Sequence, residues 1–321
     1  MVSLNVPIAS PPTSPTPAAA GIVPLALIAT ALAMLAVACG SGALEAPPFD
    51  GVIAASDFAV GINRVPFVLA NVDGDRIEGA DVRVRFSLLT EDGAHAVAEV
   101  DAAYYEIEGV TPHVHEDGLA HEHRAVRGFY VADGVDLDEA GVWQMAIEVT
   151  SNPSILVSVG PAFSVGSALR APGVGEAVPA TENPTIRDVA TFAEISTRLV
   201  ARDDLHQLSV AQAIAAPRPF VVVFASPRFC VTAICGPVTD VVADVQRRYG
   251  DRANFIHIEP WDLIAARDEG RLIASAAMSE WRLPSEPWTF VVAADGRVGA
   301  RFEGLVAGQE IERALNEALR R

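Results

Sequence analysis

PFVVVFASPRFCVTAICGPVTD, residues 219 to 240, is the stretch that decides the fold of this chain. It begins with a continuous apolar, largely β-branched run from Phe220 to Phe224, which has the length typical of a strand buried on both faces. After a loop, valines recur at helical spacing at positions 238, 241, 242 and 245. The pattern predicts a buried strand, then a loop that carries Cys230 and Cys235, then an amphipathic helix.

The loop places Cys230 where a thiolate can be stabilised, between the end of a strand and the N-terminus of a helix. A disulfide requires Cα atoms roughly 4.4–6.8 Å apart, whereas residues five apart in a regular helix are separated by about 7.5 Å along the axis. Pro237 is tolerated in a first helical turn but not in a helix interior. We therefore predict that residues 230 to 235 form a loop or a frayed first turn that rearranges with redox state.

From about residue 190 to its end, the chain resembles a thioredoxin-fold domain. The resemblance is carried by the cysteine stretch, by a second apolar strand at residues 254 to 258, and by LPSEPWTFVV at residues 283 to 292. In thioredoxins a cis-proline before the third strand faces the reactive cysteine, and Pro287 matches that position. The resemblance implies exchange with protein thiols and disulfides, without an organic cofactor.

In that reaction Cys230 would attack as the thiolate, Cys235 would resolve the mixed disulfide, and Pro287 would hold the substrate backbone beside the sulfur. The residues predicted to line the substrate groove are Arg228, Phe229, Glu286 and Trp288.

The C-x4-C spacing departs from the usual C-x-x-C and resembles Q-type peroxiredoxins, whose Thr-Pro-x-Cys-x4-Cys pattern is close to the segment that begins at Ser226. A thiol peroxidase, with Cys230 oxidised to a sulfenic acid, is therefore an alternative. Two family positions differ here, because Pro227 replaces a threonine and Pro287 replaces the arginine that holds the peroxide. Both differences favour thiol–disulfide exchange.

A structural disulfide in an oxidising compartment is a third possibility for the cysteine pair. A bridge that closes so short a loop constrains the unfolded chain little, so stability alone explains it poorly.

The composition of the 321 residues excludes some classes of function. The net charge is −18, and all 23 basic residues are arginine. This acidic balance argues against a nucleic-acid partner. The absence of lysine excludes chemistry that needs a Schiff-base lysine.

Residues 18 to 38 are apolar and end on small residues before Cys39, which resembles a bacterial lipoprotein signal with Cys39 as the lipidated residue. No basic residue precedes this run, so an uncleaved transmembrane anchor is the alternative. Either way, the sequence predicts an exported protein that is anchored to the cell membrane and faces away from the cytoplasm. Lipidation of one cysteine would leave a pair for redox chemistry.

Residues 45 to 167 carry short strands of alternating polarity, of which Asp81 to Leu89 is the clearest. Asp-Gly turns at positions 73–74, 92–93 and 133–134 separate them. The segment Asp136 to Val149 resembles exported immunoglobulin-like domains. The predicted fold therefore has two domains, an N-terminal all-β, Ig-like sandwich and a C-terminal α/β thioredoxin-like domain. The predicted boundaries are 1–44 for the leader and tether, 45–167 for the sandwich, 168–185 for the linker and 186–321 for the thioredoxin-like domain.

A histidine cluster lies inside the predicted sandwich domain, in the sequence HVHEDGLAHEH. Alternate residues of a strand share a face, so a hairpin would bring its four imidazoles together. Four imidazoles suit copper, nickel or zinc, and a possible divalent metal or copper site is predicted at His113, His115, His121 and His123. A copper- or metal-handling protein, or another non-catalytic binding protein that uses this hairpin, is therefore an alternative function for the chain. The other interpretation is a solvated hairpin tip that binds no metal.

Other residues near the predicted redox site have two interpretations. His257 or Glu259 could accept a proton near Cys235, or each could be an ordinary polar residue at a strand end. Three tryptophans, Trp261, Trp281 and Trp288, could line the groove or pack in the core, and Trp288 is the better groove candidate because it follows Pro287.

Overall fold

The computed structural model describes residues 48–107, 113–114, 120–121, 127–151, 154–198, 203–232 and 234–320. These described residues form one compact unit. The strands are β1 Phe49–Ile53, β2 Phe58–Ala59, β3 Gly61–Asn71, β4 Asp81–Thr90, β5 Gly93–Glu106, β6 His113–Val114, β7 Ala120–His121, β8 Gly128–Leu137, β9 Gly141–Ser151, β10 Ser154–Gly166, β11 Phe220–Phe224, β12 Asn254–Ile258, β13 Trp288–Val292 and β14 Val298–Glu303. The helices are α1 Val210–Ala215, α2 Cys235–Tyr249, α3 Leu263–Asp268, α4 Ala276–Glu280 and α5 Gly308–Ala318, with 3-10 turns at Phe192–Glu194 and Asp203–Leu205.

The N-terminal strands form one eight-stranded sheet in the order β1-β3-β8-β5-β4-β9-β10-β2. The long strand β5 connects its two halves, because residues 93–102 pair with β4 and residues 103–106 pair with β8. Side chains from both halves share one hydrophobic core, which includes Phe67, Tyr130 and Trp143. The sheet therefore curls over its own core, an arrangement that is consistent with sandwich-like packing.

Strand β4 shows the predicted alternation. Val82, Val84 and Phe86 are buried in the core of the curled sheet. On the exposed face, Arg83 pairs with Asp101 of β5 at 2.8 Å between Nε and Oδ1. The alternation thus separates an apolar face from a charged one, as expected for a half-buried strand.

One of the three predicted Asp-Gly turns is not a turn between strands. Asp92 and Gly93 do close the hairpin of β4 and β5, where Thr90 pairs with Gly93. Gly134, by contrast, lies inside β8 with φ +70°, next to a register shift between β3 and β8. A glycine at positive φ suits a β-bulge as well as a turn, so the same dipeptide kinks a continuous strand here.

The C-terminal part contains a four-stranded sheet in the order β12-β11-β13-β14. Strand β11 is fully buried because cores cover both of its faces. Val221 and Val223 join a core with α2 and α5. Phe220 and Phe224 join a second core on the other side, in which Trp281 packs against Phe224 with ring centroids 5.0 Å apart.

The predicted fold class, an Ig-like sandwich followed by an α/β thioredoxin-like domain, is wrong. Of the described residues, 41% lie in strands and 20% in helices. The N-terminal strands join into one curled sheet rather than two separate sheets. In the C-terminal sheet only β11 and β12 run parallel, whereas β13 and β14 pair antiparallel to their neighbours. Alternation and turn signals indicate that strands exist, but not which edges they share, and this is where the prediction failed.

The segment predicted as a linker is packed along the second sheet. Ala171 and Val178 are buried. The Gly175 N–H donates to the Val298 carbonyl at 2.8 Å, and the Val178 N–H donates to the Gly296 carbonyl at 3.0 Å. The chain between the two sheets is therefore held by backbone hydrogen bonds, while the predicted domain boundaries themselves stay a prediction.

Buried polar contacts also join the curled sheet to the C-terminal sheet. Glu303 of β14 accepts hydrogen bonds from the N–H groups of Ser56 and Asp57, both at 2.8 Å. Gly304 follows with φ +71°, and a Cβ at this position would lie 1.9 Å from the Ala54 carbonyl oxygen. Only glycine permits this close approach.

The predicted leader at residues 18–38 and Cys39 lie outside the described residues. Among the residues that the structure does describe, no helix has the length and apolar character needed to cross a membrane.

Candidate functional site

Cys230 and Cys235 are joined by a disulfide, with their Cα atoms 5.9 Å apart. This Cα separation lies within the range that disulfides require. The pair is at disulfide distance and is compatible with thiol–disulfide chemistry.

The local sequence explains how the cysteines meet. Strand β11 ends at Phe224, residues 225–232 and 234 are non-helical, and α2 begins at Cys235. Pro237 therefore lies in the first helical turn, where a missing N–H costs little. The predicted loop before the helix is confirmed, whereas its rearrangement on reduction stays a prediction.

The two sulfurs have different access to solvent. Cys235 is fully buried, while Cys230 is half-buried at the edge of the same hydrophobic core. The Cys235 N–H donates to Cys230 Sγ at 3.2 Å, and the Thr232 hydroxyl lies 3.4 Å from that sulfur. An N–H at a helix N-terminus favours negative charge on the sulfur that it contacts. Cys230 is thus the more exposed residue of the pair.

Pro287 follows a cis peptide bond from Glu286 and immediately precedes β13. The bond is cis, as the thioredoxin resemblance implies, whereas the position of Pro287 opposite the reactive sulfur stays a prediction. The Pro287 carbonyl accepts a hydrogen bond from the Gly304 N–H at 2.8 Å. The neighbouring Glu286 carboxylate lies within 4.8 Å of the sulfurs of both Cys230 and Cys235. The proline segment therefore brings an acidic group to the disulfide.

Glu286 is 7% exposed, and burial raises its pKa to about 7. The N–H groups of Trp261, Val231 and Ser226 partly offset this effect, while the negative charge of Glu259 adds to it. The carboxyl group of Glu286 can therefore hold or release a proton near neutral pH.

The predicted groove residues have different surroundings. Arg228 is exposed, with its guanidinium 5.5 Å from the ring centroid of the half-buried Phe229. Trp288 is fully buried and lies beneath the Arg301 guanidinium, 4.7 Å from its ring centroid. Trp288 therefore offers no exposed surface in this conformation, and the groove role of these residues stays a prediction.

A pair of histidines lies buried beside the cysteine loop. His257 Nε2 is 2.8 Å from the Ala225 carbonyl, which can only accept, so Nε2 carries the proton. His257 Nδ1 is then the acceptor for His206 Nε2, at 3.0 Å. Burial lowers the pKa of His257 well below its ordinary value, and His206 lowers it further. His257 is therefore a neutral structural residue with both ring nitrogens occupied.

Glu259, the other predicted proton acceptor, bonds to Thr197. Its Oε1 accepts from the Thr197 N–H at 2.6 Å and from the Thr197 hydroxyl at 2.7 Å. Burial raises the pKa of Glu259. Among the described residues, Glu286 is the acid whose oxygen lies within 4.8 Å of both sulfurs.

The cysteine pair cannot bind a metal in the disulfide form, because coordination needs a thiolate and neither cysteine offers one.

In the predicted metal-binding hairpin, β6 and β7 pair antiparallel with His113 opposite His121. His115 and His123 lie outside the described residues. The predicted metal site stays a prediction.

Sequence reasoning assigned Glu286 to the groove and missed its position beside both sulfurs. Its neighbour Ser285 shows how it is held, since the Ser285 hydroxyl donates to Glu303 and accepts from the Trp288 indole N–H at 3.2 Å. The contact with Glu303 joins residues 18 positions apart in the chain, so no local sequence pattern predicts it.

Comparison with protein-family models gives no match, and comparison with curated proteins gives none either. The functional assignment therefore depends on the geometry of the site.

Proposed function

We propose that this protein is a thiol–disulfide oxidoreductase that exchanges disulfides with protein thiols through Cys230 and Cys235. The observation that carries the proposal is the unequal exposure of the bonded pair, with Cys235 fully buried and Cys230 half-buried beside a helix N-terminus. A disulfide that only stabilises the fold does not require that one of its cysteines be exposed. The exchange needs no organic cofactor, because the sulfurs carry the electrons.

A substrate thiolate attacks Cys230 Sγ and forms a mixed disulfide, while the Cys230–Cys235 bond breaks and Cys235 leaves with the electron pair. A second substrate thiol then attacks the substrate sulfur of the mixed disulfide and releases Cys230 as a thiolate. The substrate is oxidised to a disulfide and the protein is reduced to a dithiol. The same steps run backwards when the reduced protein meets a substrate disulfide.

Pro287 and the loop before Cys230 form the proposed contact with the substrate. Glu286 lies within 4.8 Å of both sulfurs, and Pro287 follows it in the chain. Arg228 and Phe229 supply a cation and an aromatic ring next to Cys230 in the chain, which suits an extended peptide better than a small oxidant. The test is to trap the mixed disulfide in variants that lack one cysteine, with Cys230 expected to carry the adduct.

The compartment and the membrane anchor form part of the proposal. The apolar segment at residues 18–38 and Cys39 support export and attachment to the cell membrane, facing away from the cytoplasm. A disulfide is also typical of an oxidising compartment. The net charge of −18 supports protein partners over nucleic acid.

We also propose that the histidine hairpin binds a divalent metal or copper. The observation that favours it is the register of β6 and β7, which sets His113 opposite His121. Residues directly opposite each other in an antiparallel pair belong to the same face of the hairpin.

Calorimetric titration of the full chain with Cu(II) should show one tight site. The site should be lost in the double variant His113→Ala and His121→Ala, because two of four ligands are gone. The matched control is His95→Ala, which removes an exposed histidine of β5 and should bind as wild type does. Unchanged binding in the double variant would refute the site.

A further inference from the structure

The reaction proposed above leaves one chemical problem at Cys235. When the disulfide opens at Cys230, Cys235 becomes a thiolate although its side chain is fully buried. Burial in apolar surroundings raises the pKa of a thiol, so the buried thiolate needs a proton as it leaves. The inference below rests on the proposed exchange activity and concerns the source of that proton.

Glu286 is placed to supply it. One of its carboxylate oxygens lies within 4.8 Å of both sulfurs. The Val231 N–H donates to Oε1 at 3.3 Å. Oε2 is buried and receives no hydrogen bond of good geometry, although the N–H groups of Trp261 and Ser226 are near enough to offset part of the rise in pKa. A buried carboxylate oxygen that is poorly hydrogen-bonded is costly as an anion and is stabilised when it carries a proton.

We propose that Glu286 is the proton carrier for Cys235, donating a proton to the departing thiolate and taking it back when the Cys235 thiol attacks a mixed disulfide. In the opening direction, a substrate thiolate, the disulfide and the Glu286 carboxylic acid give a mixed disulfide at Cys230, a Cys235 thiol and the Glu286 carboxylate. One S–S bond forms and one breaks, and the proton passes from carboxyl to sulfur. The closing direction is the reverse.

The neighbouring titratable groups do not replace Glu286 in this role. His257 of β12 uses both ring nitrogens, one toward Ala225 and one toward His206. Glu259, just after the same strand, has Oε1 occupied by Thr197, and its Oε2 is also buried without a hydrogen bond of good geometry. Glu259 is excluded by position, because it lies outside the group of atoms within 4.8 Å of the sulfurs. Among the described residues, Glu286 is therefore the acid that has an oxygen within 4.8 Å of both sulfurs.

The charges around Glu286 favour its protonated form near neutral pH. Glu259 faces it with a like charge, while Arg267 acts on Glu259. Arg198 is bound to Asp240 of α2 at 2.7 Å, and Arg228 is exposed. With burial as the main cause, the pKa of Glu286 is about 7, so the group is available both as donor and as acceptor.

The test is the rate at which dithiothreitol reduces the disulfide of the full chain, measured from weakly acidic to weakly alkaline pH. Each rate constant is divided by the concentration of dithiothreitol thiolate at that pH, so that the ionisation of the reagent does not contribute to the profile. Wild type should react fastest at acidic pH and slow as pH rises through about 7, where Glu286 loses its proton. Glu286→Gln should be slower by about tenfold or more at acidic pH and should lose this inflection. Glu286→Asp, which keeps a carboxyl group, should retain an inflection.

Glu317→Gln is the matched control, because it removes an exposed carboxylate of α5 and should keep the wild-type profile. A Glu286→Gln profile that matches wild type overturns the assignment while leaving the exchange activity intact. Failure of the wild-type disulfide to react at all would instead count against the proposed function.

A second measurement covers the case in which Glu286→Gln does not fold. Carbon NMR titration of the Glu286 carboxyl in oxidised and reduced wild type should show that its pKa changes when Cys235 becomes a thiol. An identical pKa in both redox states overturns the proposal.

Discussion

Cys235→Ser is expected to accumulate a mixed disulfide with a cysteine-containing peptide, and Cys230→Ser is expected to form none. The reason is the difference in exposure, since Cys230 is half-buried and Cys235 is fully buried. An adduct at Cys230 persists when no second sulfur is present to release it. Mass spectrometry of the full chain after reaction with an activated peptide disulfide should find close to one peptide per Cys235→Ser molecule.

The chain contains a third cysteine, so the adduct must be located. Cys39→Ser combined with Cys235→Ser should trap as much peptide as Cys235→Ser alone, and peptide mapping should place the adduct at Cys230. Equal trapping by Cys230→Ser and Cys235→Ser under native conditions would contradict the assigned roles, because it would require the buried sulfur to be as accessible as the half-buried one.

Asp57→Ala should be the most destabilising single substitution at the contact between the two sheets. The Asp57 carboxylate accepts hydrogen bonds from Arg301 at 2.8 Å and from the N–H groups of Arg170 at 2.9 Å and Ala171 at 3.0 Å. The Arg301 and Asp57 side chains are only 13% and 3% exposed. Removing one partner leaves a buried charge without its counterion, so the free energy of unfolding should fall by about 3 to 5 kcal/mol.

Urea unfolding of the full chain measures this effect, and Asp101→Ala is the matched control. Asp101 also pairs with an arginine at 2.8 Å, but Arg83 and Asp101 are 53% and 75% exposed. The loss of an exposed pair should cost about 1 kcal/mol or less. If Asp57→Ala costs no more than this control, the buried pair does not stabilise the contact.

Local sequence was sufficient for the elements around the disulfide. The predicted strands at 220–224 and 254–258 have the observed bounds. The helix that follows the cysteine loop was also predicted correctly. These elements depend on residues that are close in the chain, such as a β-branched run or valines at helical spacing. The cis bond before Pro287 matches what the thioredoxin resemblance implied, not what a local pattern predicted.

The features that the sequence analysis predicted wrongly or missed depend on contacts between residues that are far apart in the chain. The continuity of the curled sheet is set by β5, which pairs with β4 along one part and with β8 along another. Periodicity describes the faces of a strand but not its neighbours, so a sandwich of two separate sheets was expected. The position of Glu286 was missed for the same reason, because its distance to the sulfurs depends on how β13 lies beside β11.

The most direct test of the redox assignment is the equilibrium of the Cys230–Cys235 pair with glutathione buffers, followed by thiol trapping on the folded full chain. We predict a single reversible two-electron transition with a defined midpoint potential, while circular dichroism stays that of the folded protein. On the reduced folded chain the trap should react at Cys230, and Cys235 should react once the acid-quenched sample is denatured, because Cys235 is fully buried. A pair that stays oxidised in every buffer until the chain unfolds would show that the disulfide only stabilises the fold, and this result would contradict the proposed function.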